Sequence, residues 1–222
     1  MRLNVTPCSA WQLYVIVDRD ASGGRDMAAI AAAAIRGGAD VLQLREKRAT
    51  NAQVRRDAER LLALTRAAGI PLIINDRIEV ARETGADGVH LGQQDPPVAQ
   101  ARRLLGPDRL IGKSTHSLEQ ALAAEADGAS YIGLGPVFPT PTKPEYGSIG
   151  PGLIPQVTAR LGIPVVCIGA IGLDTLQPVL EAGAGCVAVV RAVCAAEDPE
   201  AAARALKGAM RQSVRATSAR GL

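Results

Sequence analysis

The side chains able to do chemistry gather where apolar runs end. In Gln43-Leu44-Arg45-Glu46-Lys47, period-two alternation turns Gln43, Arg45 and Lys47 to one side and Leu44 and Glu46 to the other. An amide, a guanidinium and an ammonium on one side form an anion clamp. An ordinary charged loop would account for Lys47, but less well for Gln43 and Arg45 beside an apolar strand. Asn75-Asp76 closes the next run, and Val89-His90-Leu91-Gly92-Gln93-Gln94-Asp95 closes the one after. Two carboxylates on neighbouring loops, without clustered histidine or thiolate, suit Mg²⁺, whose shell substrate phosphate can complete. Each aspartate has a competing use as a helix cap.

A fourth stretch, Gly133-Leu134-Gly135-Pro136-Val137-Phe138-Pro139-Thr140-Pro141-Thr142-Lys143, leaves an apolar run and becomes hydroxyls and one ammonium. Its glycines and prolines deny helical continuation and preset the display of Thr140, Thr142 and Lys143, a set that suits an anionic oxygen. A solvated Pro/Thr loop is the alternative reading. His90 reads as a core residue or an indirect support, because it stands well before its loop. His116, in Ser114-Thr115-His116-Ser117, reads equally as a ligand contact or as part of a helix-capping cluster.

These stretches need a scaffold that brings run ends together. Apolar run and helical stretch alternate along the chain: Trp11 to Val17 then Met27 to Arg36; Val41 to Leu44 then a helix capped by Thr50 and ended by Gly69; Pro71 to Ile74 then Arg77 to Thr84; Gly88 to Leu91 then Val98 to Leu105. The second half continues with Leu110 to Gly112 then Leu118 to Ala126; Ser130 to Leu134 then Leu153 to Arg160; Pro164 to Ile168 then Asp174 to Ala182; Val187 to Val190 then Pro199 to about Val214. Continuously apolar strands imply a parallel sheet covered on both faces. Gly38-Ala39-Asp40, Gly85-Ala86-Asp87, Asp127-Gly128-Ala129 and Gly183-Ala184-Gly185 recur before strands as turns that end helices. Eight such units in 222 residues predict a single-domain (β/α)₈ TIM barrel, with residues 1–10 as an extension and 213–222 as a frayed tail. A doubly wound open sheet is second choice, since no GxGxxG follows the first strand.

Composition limits the rest. A formal charge of +3 and 2% aromatic residues argue against a nucleic-acid surface. No apolar run approaches a membrane span, and the N-terminus lacks a signal-peptide core, so a cytoplasmic protein is expected; a homo-oligomer stays open. Cys8, Cys167, Cys186 and Cys194 have no metal-type spacing and are read as reduced and structural. On the active face of a barrel Ser114 follows the fifth strand and faces the cavity. The small residues of Ile168-Gly169-Ala170-Ile171-Gly172 and Val189-Val190-Arg191 sit in the loops that most often bind phosphate.

In this order, from about Leu13 to Pro199, these segments resemble the thiamine phosphate synthase family. The diagnostic pieces are Gln43 to Lys47, Asn75-Asp76, His90-Leu91-Gly92-Gln93 with Asp95, Gly112-Lys113-Ser114-Thr115-His116, and Gly133 to Lys143. The resemblance implies a Mg²⁺-assisted transferase that joins a hydroxymethylpyrimidine diphosphate to a hydroxyethylthiazole phosphate, releasing diphosphate. It implies Gln43, Arg45, Lys47, Asn75, Ser114 and Lys143 for the pyrimidine diphosphate, with Arg45, Lys47 and Lys143 stabilising the departing charge. It implies Asp76 and Asp95 for the metal, and Thr140, Pro141, Thr142, Ala170, Val190 and Arg191 for the thiazole phosphate. Two positions depart from the family pattern: Ala170 stands where a second glycine is usual, and Arg191 where a serine is common. A positive φ at Ala170 would be costly. A thiazole tautomerase-like isomerase and a non-catalytic phosphate-binding barrel are the competing functions; the first has no need of a full diphosphate-and-metal set.

Overall fold

The computed structural model describes residues 7–140 and 147–220, with side chains through Ser213. Eight parallel strands close in sequence order: β1 (Leu13–Asp18), β2 (Val41–Arg45), β3 (Leu72–Asn75), β4 (Gly88–Leu91), β5 (Leu110–Thr115), β6 (Tyr131–Leu134), β7 (Val165–Ile168) and β8 (Cys186–Val189). Helices cover the outside: α1 (Met27–Arg36), α2 (Asn51–Ala68), α3 (Ile78–Thr84), α4 (Val98–Leu105), α5 (Leu118–Ala126), α6 (Leu153–Thr158), α7 (Leu173–Glu181), α8 (Arg191–Cys194) and α9 (Pro199–Arg220). The (β/α)₈ barrel read from the repeats is therefore the fold.

Period two divides every strand between two cores. Leu13, Val15, Val17, Leu42, Leu44, Leu72, Ile74, Val89, Leu91, Ile111 and Ile132 pack outward under the helices. Tyr14, Ile16, Val41, Ile73, Tyr131, Val166, Cys186 and Ala188 fill the barrel interior, with Trp11 beneath them. Trp11 meets both phenols edge-on, its ring centroid 5.8 Å from Tyr14 and 5.3 Å from Tyr131.

Three departures from the sequence reading matter. β5 runs on to Thr115, so Ser114 is a strand residue and not a loop residue; register pairing of Ser114 with Gly133 and Thr115 with Leu134 extends a strand whose polar end hides it from an apolar-run criterion. A ninth helix, α8, follows β8; four residues are too few to show a helical period, although Val193 and Cys194 bury its inner side. Helix α9 continues through residues 213–220, where a frayed tail is expected, because alanine and arginine sustain it and no glycine or proline falls within residues 209–220.

The recurring Gly-Ala-Asp turns also have a physical role. Asp40 embraces the start of β1: its N–H donates to Leu13 O at 2.9 Å, while its Oδ2 accepts from Leu13 N and Gln12 N at 2.8 Å each. Asp87 grips Leu72 the same way, donating to its carbonyl at 3.0 Å and accepting its N–H at 2.8 Å. Ser130 repeats the grip on Ile111, at 2.7 and 3.0 Å. Each satisfies backbone groups at the edge of the barrel that no strand partner reaches. Asp40 additionally holds the buried Lys207 ammonium at 2.6 Å.

Asp40→Ala should therefore lower unfolding free energy by about 2–4 kcal/mol, since it strands a buried ammonium as well as two amides, and Asp87→Ala by about 1–2 kcal/mol. Urea titration with an unchanged slope should report both losses, with turnover per folded molecule unchanged.

Candidate active site

A cavity of about 620 Å³ opens at the C-terminal ends of the strands. Tyr14, Gln43, His90 and Tyr131 lie in its lining together with Arg45, Asn75 and Ser114. Register explains the first cluster. Ile16 pairs with Gln43 and Asp18 with Arg45 across β1 and β2, and all four point inward. The Arg45 guanidinium donates from Nη1 to Asp18 Oδ2, the side chains being 15% and 6% exposed. Asp18 Oδ1 also accepts from Ala21 N at 2.9 Å. A guanidinium this buried needs its counter-charge, and the carboxylate fixes its aim. Sequence reading missed Asp18; its signal was a lone acid ending an apolar run, visible as a partner only once register is known.

Alternation holds from Gln43 to Arg45, where β2 ends. Glu46 faces away from the cavity and pairs with Arg19, which also reaches Asp57 at 2.7 Å. Lys47 lies outside the cavity lining, half-exposed, with Nζ 3.6 Å from Asp76 Oδ2. Arg77 secures this loop by donating to Glu46 O at 3.1 Å and Ala49 O at 2.7 Å, a positioning role that the sequence did not suggest.

Neither aspartate of the expected pair caps a helix. Helix α3 begins after Arg77 and α4 after Pro97, both without a side-chain cap. Asp95 Oδ2 instead accepts from Gly92 N at 2.6 Å. Asp76 sits at φ 62°, a left-handed backbone unusual outside glycine that aspartate tolerates better than most. Burial pushes its carboxyl up to about 6, reinforced by a hydrogen bond with Asp95 and by that residue's charge, against the opposing pull of Lys47 and Arg45. Lys113 Nζ donates to Gly92 O at 2.7 Å, and burial lowers its pKa against the pull of the Asp95 charge. The two carboxylates thus crowd each other more than the nearby cations relieve.

On the far side, Thr140, Ala170, Val190 and Arg191 line the same cavity. Ala170 adopts φ 48°, so the costly conformation is the one present; an alanine there carries roughly 1–2 kcal/mol of strain. Thr175 braces it, its hydroxyl donating to Ala170 O at 3.0 Å and accepting from Gly172 N at 2.9 Å. Arg191 is exposed and opens α8, with Val190 preceding it as N-cap. The base of the Gly133 stretch is pinned to β7 by Val137 N to Ile168 O at 2.8 Å and Phe138 N to Gly169 O at 3.2 Å. Pro141, Thr142 and Lys143 lie outside the described residues.

Both histidines lie in the cavity lining. His116 donates from Nδ1 to Gly135 O, and Ser117 beside it caps α5 by accepting from Gln120 N at 3.2 Å. His90 bridges Tyr131 and Ser114 inside the barrel. Cys167 packs with the outer core rather than lining the cavity, and burial pushes its thiol up to about 12. Among the described residues no group of three or more His, Cys, Asp or Glu side chains could hold a metal ion.

A closed parallel barrel with charged and amide side chains at the C-terminal mouth of one large cavity defines a (β/α)₈ enzyme acting on small molecules. The family model for thiamine monophosphate synthase matches residues 13–193, and the chain belongs to that family of transferases. It is 50% identical over 198 residues to the thiamine-phosphate synthase of Chloroflexus aurantiacus, covering 89% of this chain and 91% of that relative. The thiamine-phosphate synthase of Shouchella clausii is 43% identical over 204 residues, covering 91% and 98%. Among solved structures, thiamine phosphate pyrophosphorylase from Pyrococcus furiosus matches with a TM-score of 0.86 at 35% identity, over 93% of this chain and 98% of that one.

The Asp76 carboxyl fixes a pH dependence. Its folded pKa of about 6 lies above the ordinary 3.8, so the folded state retains a proton that the unfolded state releases, and stability falls as pH rises through that window. Asp76→Asn, which tolerates the same backbone, should match the wild-type melting temperature near about pH 4 and exceed it near about pH 7 in chelator. Thermal melts across that range check it; a variant less stable at neutral pH contradicts it.

Proposed function

We propose that this chain couples 4-amino-2-methyl-5-(diphosphooxymethyl)pyrimidine to hydroxyethylthiazole phosphate, giving thiamine phosphate and diphosphate. The observation that supports it most is the meeting of Gln43, Arg45, Asn75 and Ser114 in one cavity. Gln43 and Ser114 would hold the pyrimidine portion, Asn75 its diphosphate. Arg45, already aimed by Asp18, would stabilise the negative charge that grows on the departing diphosphate. Lys47 would turn from Asp76 to the same charge, and Lys143 would join it. On the opposite wall Thr140, Ala170, Val190 and Arg191 would hold the thiazole phosphate, with Pro141 and Thr142 of the same sequence stretch joining them, so that the ring nitrogen meets the pyrimidine methylene as diphosphate leaves.

Hard oxygen donors from Asp76 and Asp95 fit Mg²⁺, and their mutual crowding is what a divalent cation relieves. When bound it would supply further charge stabilisation at the diphosphate. No protein nucleophile is needed. Free cysteines at 8, 167, 186 and 194 fit a cytoplasmic setting, and among the described residues no helix is long and apolar enough to cross a membrane.

Diphosphate release should require both substrates and Mg²⁺, and a folded sample that binds both yet forms no thiamine phosphate would sink the proposal. Lys47→Ala should cut turnover at least about tenfold while moving the melting temperature little, because Lys47 is half-exposed and 3.6 Å from its partner. Equal turnover would remove Lys47 from the site.

A further inference from the structure

Five polar side chains form one unbroken chain across the barrel interior. Gln43 Nε2 donates to Tyr14 Oη at 2.7 Å; Tyr14 and Tyr131 hydroxyls meet at 3.0 Å; Tyr131 Oη lies 3.2 Å from His90 Nδ1; and His90 Nε2 lies 3.0 Å from Ser114 Oγ. Its two ends, Gln43 and Ser114, are the residues that the proposed function assigns to the pyrimidine portion.

The sheet makes room for this chain. Register sets His90, Gly112 and Tyr131 side by side on β4, β5 and β6, so the two rings meet over a residue with no side chain. A Cβ on Gly112 would stand 2.3 Å from Tyr131 Cζ and 2.4 Å from His90 Nδ1. One layer up, a Cβ on Gly133 would press on His90 Cε1 at 3.1 Å. Glycine weakens a strand, and here two of them leave the space that the His90 ring and its partners occupy.

We propose that Tyr131 and His90 are positioning residues that set the donor and acceptor polarity of the cavity: they hold His90 as its Nε2–H tautomer and leave the Ser114 hydroxyl proton free for the ligand. The direction follows from the Gln43 end. Since the amide donates to Tyr14, the Tyr14 proton goes to Tyr131, the Tyr131 proton goes to His90 Nδ1, and His90 Nε2–H donates to Ser114. Burial raises both phenol pKa values, which keeps these hydroxyls protonated and able to donate. An imidazolium would put a second donor on the Tyr131 oxygen and leave the Tyr131 proton without an acceptor in the chain. Reversal is possible only for all five groups together, and it would turn the Gln43 amino group toward the cavity mouth, where Arg45 already supplies positive charge. With the amide oxygen outward, the cavity offers an acceptor at Gln43 and a donor at Ser114, which suits a heteroaromatic ligand that carries an amino group and a ring nitrogen. That match to a ligand rests on the proposed function; the tautomer does not.

The chain has only two histidines, and Gly135 O can only accept, which makes His116 an Nδ1–H reference of the opposite tautomer. Nitrogen-15 NMR of histidine-labelled protein without ligand should show one Nε2–H ring and one Nδ1–H ring; two Nδ1–H rings, or a mixed His90, overturn the proposal. Tyr131→Phe should turn His90 into a tautomer mixture and raise KM for the pyrimidine substrate about fivefold, the size of one lost hydrogen bond, with a smaller change in kcat. An unchanged tautomer and KM in that variant also overturn it. If Tyr131→Phe does not fold, Tyr14→Phe cuts the same chain one bond earlier and is read the same way. Failure of the coupling reaction with the expected tautomers intact would count against the proposed function alone.

Discussion

Closure of eight strands is the constraint from which the rest follows. A barrel of this size has an interior just wide enough for side chains, so every inward residue becomes either packing or part of the cavity. At the lower end the aromatic rings of Trp11, Tyr14 and Tyr131 take up the space. Higher up the inward residues are Gln43, Arg45, Asn75, His90 and Ser114, and the interior is open. Packing and chemistry share one channel, and the boundary between them is polar: Tyr14 and Tyr131 present apolar rings below and hydroxyls above.

Much of this was legible in the residues. Eight alternations of apolar run and helical stretch have few architectures to choose from, and the inward turn of Gln43 and Arg45 follows from period two alone. What escaped depends on register or on backbone shape. The Asp18–Arg45 pair needs strand β1 set against β2 by a definite offset. The end of β5 is hidden by the polarity of Lys113, Ser114 and Thr115, which sequence criteria assign to a loop although neighbouring strands pair them. Helix α8 is shorter than the period that would betray it. For Asp76 and Asp95 the choice between helix cap and crowded pair was decided by the backbone, above all by the left-handed turn at Asp76.

Both non-glycine residues with positive φ among the described residues, Asp76 and Ala170, lie in loops at the C-terminal ends of strands, on opposite walls of the mouth. Strain of this kind persists only where surroundings hold it. Arg77 and the Asp76 N–H to His90 O bond hold one; Thr175 holds the other. At Ala170 a glycine would adopt the same backbone without strain, and Thr175 braces the alanine that stands there.

The grips of Asp40, Asp87 and Ser130 lie at the end of the barrel away from the mouth, one each on the β1–β2, β3–β4 and β5–β6 pairs. They act as a hoop on a cask, fixing strand order and stagger from below. The loops above can then differ in length or composition from one relative to the next without loosening the staves. A lineage can retune what the mouth accepts while leaving the hoop alone, and a change in the hoop would be felt as a shorter-lived protein of unaltered taste.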